Sequence, residues 1–274
     1  MDEEVLQEDD PKVARTLHNL GDVFQITNDL DTALAHQKRA LVIKEGAFGP
    51  AHPEVAVTLG SLGLTLRCRG DLDAALAYQE RALAIEERAY GPNDPKIART
   101  LNNLGNVLRL RGDLDTAQSR HEQALAINEG ALGRNHPEVA VTLNYLGLTL
   151  REKGDPRAAL AVQEPALAID EDALGPDHPE VAVSLFNLAE VEEKLGATAV
   201  AGEHRLRALM ILRSGLGEQH WRTEMVRWSL ESMNAGINVQ GTLRTFDGDS
   251  GPRAAQQPRR ITHKDPPRPA AHPP

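Results

Sequence analysis

The sequence is poor in aromatic residues and almost without cysteine. Phe, Trp and Tyr make up only 3% of 274 residues, so a core has to be built from Leu, Ala, Val and Ile. The single cysteine, Cys68, excludes a disulfide framework and a cysteine-based zinc site. No run of apolar residues approaches the length that spans a membrane. The opening residues Met1-Asp2-Glu3-Glu4 have no basic flank and no apolar stretch behind them. No signal peptide is therefore expected, and the cytoplasm is the expected location. A formal net charge of −10 points away from nucleic acid and anionic membranes as partners. Chemistry-bearing motifs are missing too. There is no Gly-x4-Gly-Lys-Ser/Thr phosphate loop, no His-Glu-x2-His, no Gly-x-Ser-x-Gly and no Cys-x2-Cys. The expectation is a non-enzyme that needs no cofactor and no metal.

What the sequence does have is a repeat. Prolines stand at Pro11, Pro53, Pro95, Pro137 and Pro179, 42 residues apart each time. Alanines keep the same register at Ala14, Ala56, Ala98, Ala140 and Ala182, and again at Ala33, Ala75, Ala117, Ala159 and Ala201. Leucines do so at Leu17, Leu59, Leu101, Leu143 and Leu185, and glycine closes each unit, from Gly49 to Gly217. Each unit reads as two helices. Asp-Pro or His-Pro starts the first, because proline suits a first helical position whose N–H is not needed. Asn28-Asp29, Gly70-Asp71, Gly112-Asp113 and Gly154-Asp155 break the chain and cap the second. Leu17, Leu20, Gly21 and Phe24 fall on one face of the first helix.

The units are 11–52, 53–94, 95–136, 137–178 and 179–217, followed by a lone helix over 219–233. Trp221, Met225 and Trp228 share one face of that helix and are expected to cover the open end of the fifth unit. Residues 1–10 form an acidic lead. Residues 236–274 hold 7 of the 17 prolines and six Lys and Arg against three Asp and Glu, and read as a disordered basic tail. Pro165 stands where the other units carry Arg39, Arg81, Gln123 and Arg207. It falls inside a helix, so a kink or irregular turn is expected over 161–165.

The series Leu17-x2-Leu20-Gly21-x2-Phe24 with Ala33 and Ala40 resembles the tetratricopeptide repeat. The 42-residue period and linkers such as Gly-Pro-Asp-His-Pro-Glu-Val-Ala at 175–182 resemble its kinesin-light-chain-like variant. Two departures stand out: leucine replaces the usual Trp, and Gln37 and its equivalents replace the usual aromatic of the second helix. The resemblance implies an all-α, right-handed superhelical solenoid of five helix-turn-helix repeats plus a C-terminal capping helix. It also implies non-enzymatic binding of a protein or peptide in a concave groove lined by the first helices. Repeats of this kind also occur as the sensor part of larger signal-transduction ATPases, which is the second reading of the chain.

The residues on that face set the expected site. Arg67, Arg109 and Arg151 recur in three consecutive units, with Arg15 and Arg99 beside them. Asn19, Asn102, Asn103, Asn106, Asn144 and Asn187 offer a donor and an acceptor each. An arginine line in an acidic protein suits an acidic ligand segment. Val57, Leu64, Val141 and Leu148 in alternate units suit apolar side chains placed among the acids. The recurrent His52, His136, His178 and His220 cannot converge on one metal ion and read as caps.

Overall fold

The computed structural model describes residues 9–234; most of the acidic lead and the Pro-rich tail lie outside the described residues. The helices are α1 (Pro11–Ile26), α2 (Leu30–Phe48), α3 (Pro53–Arg69), α4 (Leu72–Tyr90), α5 (Pro95–Arg111) and α6 (Leu114–Leu132). They continue with α7 (Pro137–Glu152), α8 (Pro156–Leu174), α9 (Pro179–Lys194), α10 (Thr198–Leu216) and α11 (Trp221–Asn234). Consecutive helices pack as five hairpins, and each hairpin stacks on the next, giving an all-α repeat solenoid.

The linkers carry the caps that the sequence encodes. Asp10 and Asp94 accept a hydrogen bond from the backbone N–H two residues on. His52, His136, His178 and His220 do the same through Nδ1. Asp29, Asp71, Asp113 and Asp155 cap the second helices, while Ala197 has no side chain to do so. The turn inside the first hairpin needs a positive φ at Asn28 (64°), the residue type that tolerates it best after glycine.

The core is made of small and branched residues. Ala33, Ala75, Ala117, Ala159 and Ala201 are fully buried, as are Ala40 and its equivalents, so the two helices of a hairpin approach closely. First helices also touch one another from α1–α3 to α7–α9, whereas the second helices make no comparable contact. The array therefore curves toward the first helices, which line its concave side. Trp221 and Met225 of α11 pack on the cluster built by Val181, Leu185, Ala208 and Leu212.

α8 runs unbroken through Pro165, so the expected irregular turn is not formed. Pro165 and Ala161 are both exposed, and water can serve the carbonyl that loses its amide partner. The position has a further logic. In the second and fifth units its arginine reaches back one unit, Arg81 to Glu45 and the Pro50 carbonyl, Arg207 to Glu171 and the Pro176 carbonyl. In the fourth unit proline and cation have traded places: the preceding linker carries Arg134 where others have proline, and Arg134 lies 3.8 Å from Glu129.

A buried polar column runs through the hairpins at Gln37, Gln79, His121, Gln163 and Arg205. The first four sit in a notch made by a glycine of the partner helix, at Gly21, Gly63, Gly105 and Gly147. Gln37 is served on both sides: it donates to Asp22 and accepts from Thr65. Gln163 has Leu148 and Val191 in those two registers, and neither amide atom has a partner. An unpaired buried amide costs about 1–3 kcal/mol. Gln163→Met keeps the length and removes the polarity, and is expected to raise unfolding free energy by about 1–2 kcal/mol. Urea denaturation checks this; a loss of stability would show that the amide is paired.

Between hairpins a second buried column changes identity at each joint. Lys44 donates to the carbonyl and carboxylate of Glu54, and Asn128 donates to the Glu138 carbonyl and to Thr142. Glu86 is hydrogen-bonded to Thr100, and burial pushes its carboxyl up. Asp170 accepts from Ser184, and burial pushes its carboxyl up to about 6. At the last joint the position is the apolar, fully buried Leu212.

Candidate ligand groove

The concave face changes character from one end to the other. At its open N-terminal end Arg15 and Asn19 are exposed, and Asp22 is half-buried. In the second unit Val57 is exposed, Ser61 and Leu64 are half-buried, and Arg67 is buried. The third unit exposes Arg99, while Asn102, Asn103, Asn106 and Arg109 are buried. In the fourth, Val141 is exposed and Asn144 half-buried, with Tyr145, Leu148 and Arg151 buried. In the fifth, Val183, Phe186 and Asn187 are all buried. Bulky side chains fill much of the concave side toward the C-terminal end; the exposed polar positions Arg15, Asn19 and Arg99 lie in the first three units, while Asn144, Glu190 and Glu193 farther on are half-buried.

The arginine line is built into the structure. Arg109 pairs with Glu152 of the next unit, and Arg151 lies 3.8 Å from Glu190 of the unit after. In the fifth unit the line changes sign to Glu193, and Arg205 of the second helix pairs with Glu190 and Glu193 instead. Arg109 and Arg151 thus already face carboxylates that hold neighbouring units together. Burial makes such pairs costly to break from one side, because the orphaned charge stays desolvated.

The asparagines divide in the same way. Asn102 donates to Thr142 and Asn144 to Ser184, the same bond made one unit apart. Arg109 donates to Asn106. His121, beneath the floor, faces Asn102 across 3.4 Å and stacks on Tyr145. Burial and the nearby Arg109 pull its imidazole down to about 3, so it is neutral. Arg205 and His121 were not readable as part of this face. The signal for them is a 42-residue recurrence of polar residues in the second helix, in register with a glycine of the first.

Among the described residues the exposed cations of the concave register are Arg15 and Arg99, separated by Val57 and followed by Val141. One position per unit thus reads cation, apolar, cation, apolar. Among the described residues no helix is long and apolar enough to cross a membrane.

Comparison with known proteins agrees with this architecture. The family model described as tetratricopeptide repeat matches residues 12–88, 54–130, 96–172 and 138–214. No curated protein sequence matches the chain. Among solved structures, it is similar to kinesin light chain-like TPR repeats of Podosopora anserina, with 20% identity and a TM-score of 0.62 over 76% of this chain and 98% of that one. It is also similar to BtubC (BKLC) from P. vanneervenii, with 22% identity and a TM-score of 0.64 over 77% and 83%. The Rap protein complexed with Competence and Sporulation Factor aligns with 17% identity and a TM-score of 0.64 over 81% and 64%. The fold is one that generally serves as a non-catalytic scaffold for protein–protein interaction. Five hairpins in one register, the alanine-lined core and four overlapping model matches together place the chain in the tetratricopeptide repeat family.

Proposed function

We propose that the chain binds an acidic segment of a partner protein along the first helices of units one to three. The observation that carries this is the exposed register Arg15, Val57 and Arg99. Two cations separated by an apolar position suit a ligand whose acids alternate with apolar side chains. Asn19, exposed beside Arg15, offers a further donor and acceptor. Arg67, Arg109, Arg151 and the asparagines Asn102, Asn103, Asn106, Asn144 and Asn187 serve the same site from below, as the polar floor that fixes the helix spacing.

Fluorescence anisotropy tests it with two labelled peptides, one alternating Glu and Leu, the other Lys and Leu. The Glu/Leu peptide is expected to bind, and to bind less well as salt rises. Exposed charge pairs contribute about 0.2–1 kcal/mol each. Replacing both Arg15 and Arg99 by alanine should therefore weaken binding roughly tenfold, since 1.4 kcal/mol is a factor of ten. Equal binding of both peptides, or indifference to the double substitution, overturns the proposal.

A further inference from the structure

The fifth hairpin departs from the repeat at two positions beside α11. The register of Gly202 carries Leu34, Leu76, Gln118 and Leu160 in the earlier units. Leu34 and Leu160 pack in apolar clusters that include the first helix of the next unit. Glycine leaves that space open: a Cβ on Gly202 would meet one side-chain atom, Cε of Met233, at 2.9 Å. Leu206 is 48% exposed, at a register where the earlier units carry Lys38, Glu80, Glu122 and Glu164. One side chain has been cut away and one polar rim position made apolar.

The result is an open pocket of about 520 Å³ between α10 and α11, with walls that include Thr198, Gly202, Glu203, Leu206, Leu230 and Met233. Arg205 holds one wall by donating to the Met233 sulfur at 3.0 Å. Glu203 is exposed at the rim, and no cation pairs with it among the described residues. Terminal units of such arrays normally carry a polar outer face. This one carries an apolar hollow beside a single acid.

The sequence that follows α11 matches that hollow. Met233 lines the pocket and the helix closes at Asn234, so the chain continues from the pocket rim. Residues 235–251 contain Ile237, Val239, Leu243 and Phe246, no proline, and one cation, Arg244. From Pro252 onward Ile261 is the only large apolar side chain, and the prolines and the other five cations of the tail are all there. Nine residues from Asn234 to Leu243 reach up to about 30 Å. The α10 wall from Thr198 to Leu206 is about 12 Å long. A short tether gives its own segment an effective concentration of about a millimolar, which favours it over a separate molecule of equal affinity.

We propose that the segment from Ile237 to Phe246 seats its apolar side chains in the α10–α11 pocket, with Arg244 against Glu203. The chain then covers its own apolar end, and the Pro-rich residues from Pro252 on stay outside the contact. This site does not depend on peptide binding, which uses the concave face of the first three units.

Limited trypsin digestion of the full 274-residue chain tests it, because the tail carries its own control. Cleavage after Arg244 should be roughly tenfold or more slower than cleavage after Arg253, since a docked segment has to open before it is cut. Leu206→Glu places a charge on the rim, and Gly202→Leu fills the hollow with the leucine of the earlier units. Leu206 is exposed and Gly202 faces only the flexible end of Met233, so far-ultraviolet circular dichroism should be unchanged in both. In each variant the two cleavage rates should become equal. Equal rates in the unaltered chain overturn the proposal. So does protection that persists in either variant, which would seat the segment elsewhere, and so does protection that grows with protein concentration, which would make the occupant a second copy.

Discussion

Alanine at Gly105 is expected to destabilise the chain by about 2–3 kcal/mol, the cost of forcing a methyl group into a filled core. A Cβ there would lie 2.5 Å from Cε1 of His121 and 2.8 Å from both ring nitrogens. The imidazole cannot yield easily. It is fully buried, stacked on Tyr145 at 5.9 Å between centroids, and held beside Asn102. The fifth unit shows the permitted alternative: alanine, Ala189, stands in the glycine register, and the neighbour is the flexible Arg205 rather than a ring. At roughly 2–4 °C per kcal/mol, the melting temperature should fall by about 5–10 °C. Adding His121→Ala should recover part of the loss, because the clash is pairwise. Gly130, with nothing within 4 Å of its would-be Cβ, is the control. Gly130→Ala should be neutral or stabilising by about 0.5–1 kcal/mol, from helix propensity alone. Equal effects at the two glycines would contradict the notch.

His121→Gln is expected to remove most of an acid-sensitive loss of stability. Burial, and then Arg109, holds His121 down at about 3, while an unfolded histidine titrates near 6.5. Between those values the unfolded chain binds the extra proton, so stability falls as pH falls through that window. At about 1.36 kcal/mol per unit over the two units below 6.5, the histidine removes about 2.5 kcal/mol on going from pH 7 to 4.5. Glutamine does not titrate, and it finds Asn106 and Thr149 in the registers where Gln37 finds Asp22 and Thr65. Asp170 acts in the opposite direction. Its carboxyl is raised to about 6, so protonation below that value favours the folded chain until the unfolded carboxyl also titrates near 3.9. The informative quantity is therefore the difference between wild type and variant, from urea unfolding at pH 7 and 4.5. The variant should lose about 2–3 kcal/mol less than wild type. Parallel losses would show that the ring is not the titrating group.

Much of the fold was legible because a solenoid writes its contacts at a fixed period. Pro53, Leu59, Ala75 and Gly91 each do one job, and each does it again 42 residues on. Periodicity places a residue on a helix face but does not say how deep that face lies. Arg109 and Arg151 were rightly placed on the first helices. Their engagement with Glu152 and Glu190 depends on acids that appear only in units four and five, outside the repeat pattern. Arg205 was invisible for the same reason: it substitutes for a glutamine once, where Glu193 has replaced the arginine of the line. Pro165 misled in the other direction. Its cost to the helix was plain in the sequence, while the relief from its exposed position needed the structure.

These particulars also bear on where a partner sits. Toward its C-terminal end the concave side carries the buried Tyr145 and Phe186 and the half-buried pairs of Arg205 with Glu190 and Glu193, whereas its exposed cations, Arg15 and Arg99, stand toward the N-terminal end, where the proposed site lies. Photo-cross-linking of a Glu/Leu peptide carrying a benzophenone side chain, followed by mass mapping, reads this directly. Cross-links should fall within Pro11–Ile26, Pro53–Arg69 and Pro95–Arg111, and, with peptide below saturation, drop sharply when Arg15 and Arg99 are both alanine. Cross-links confined to the second helices, Leu72–Tyr90, Leu114–Leu132 or Pro156–Leu174, would place the partner on the convex side and contradict a concave binding site.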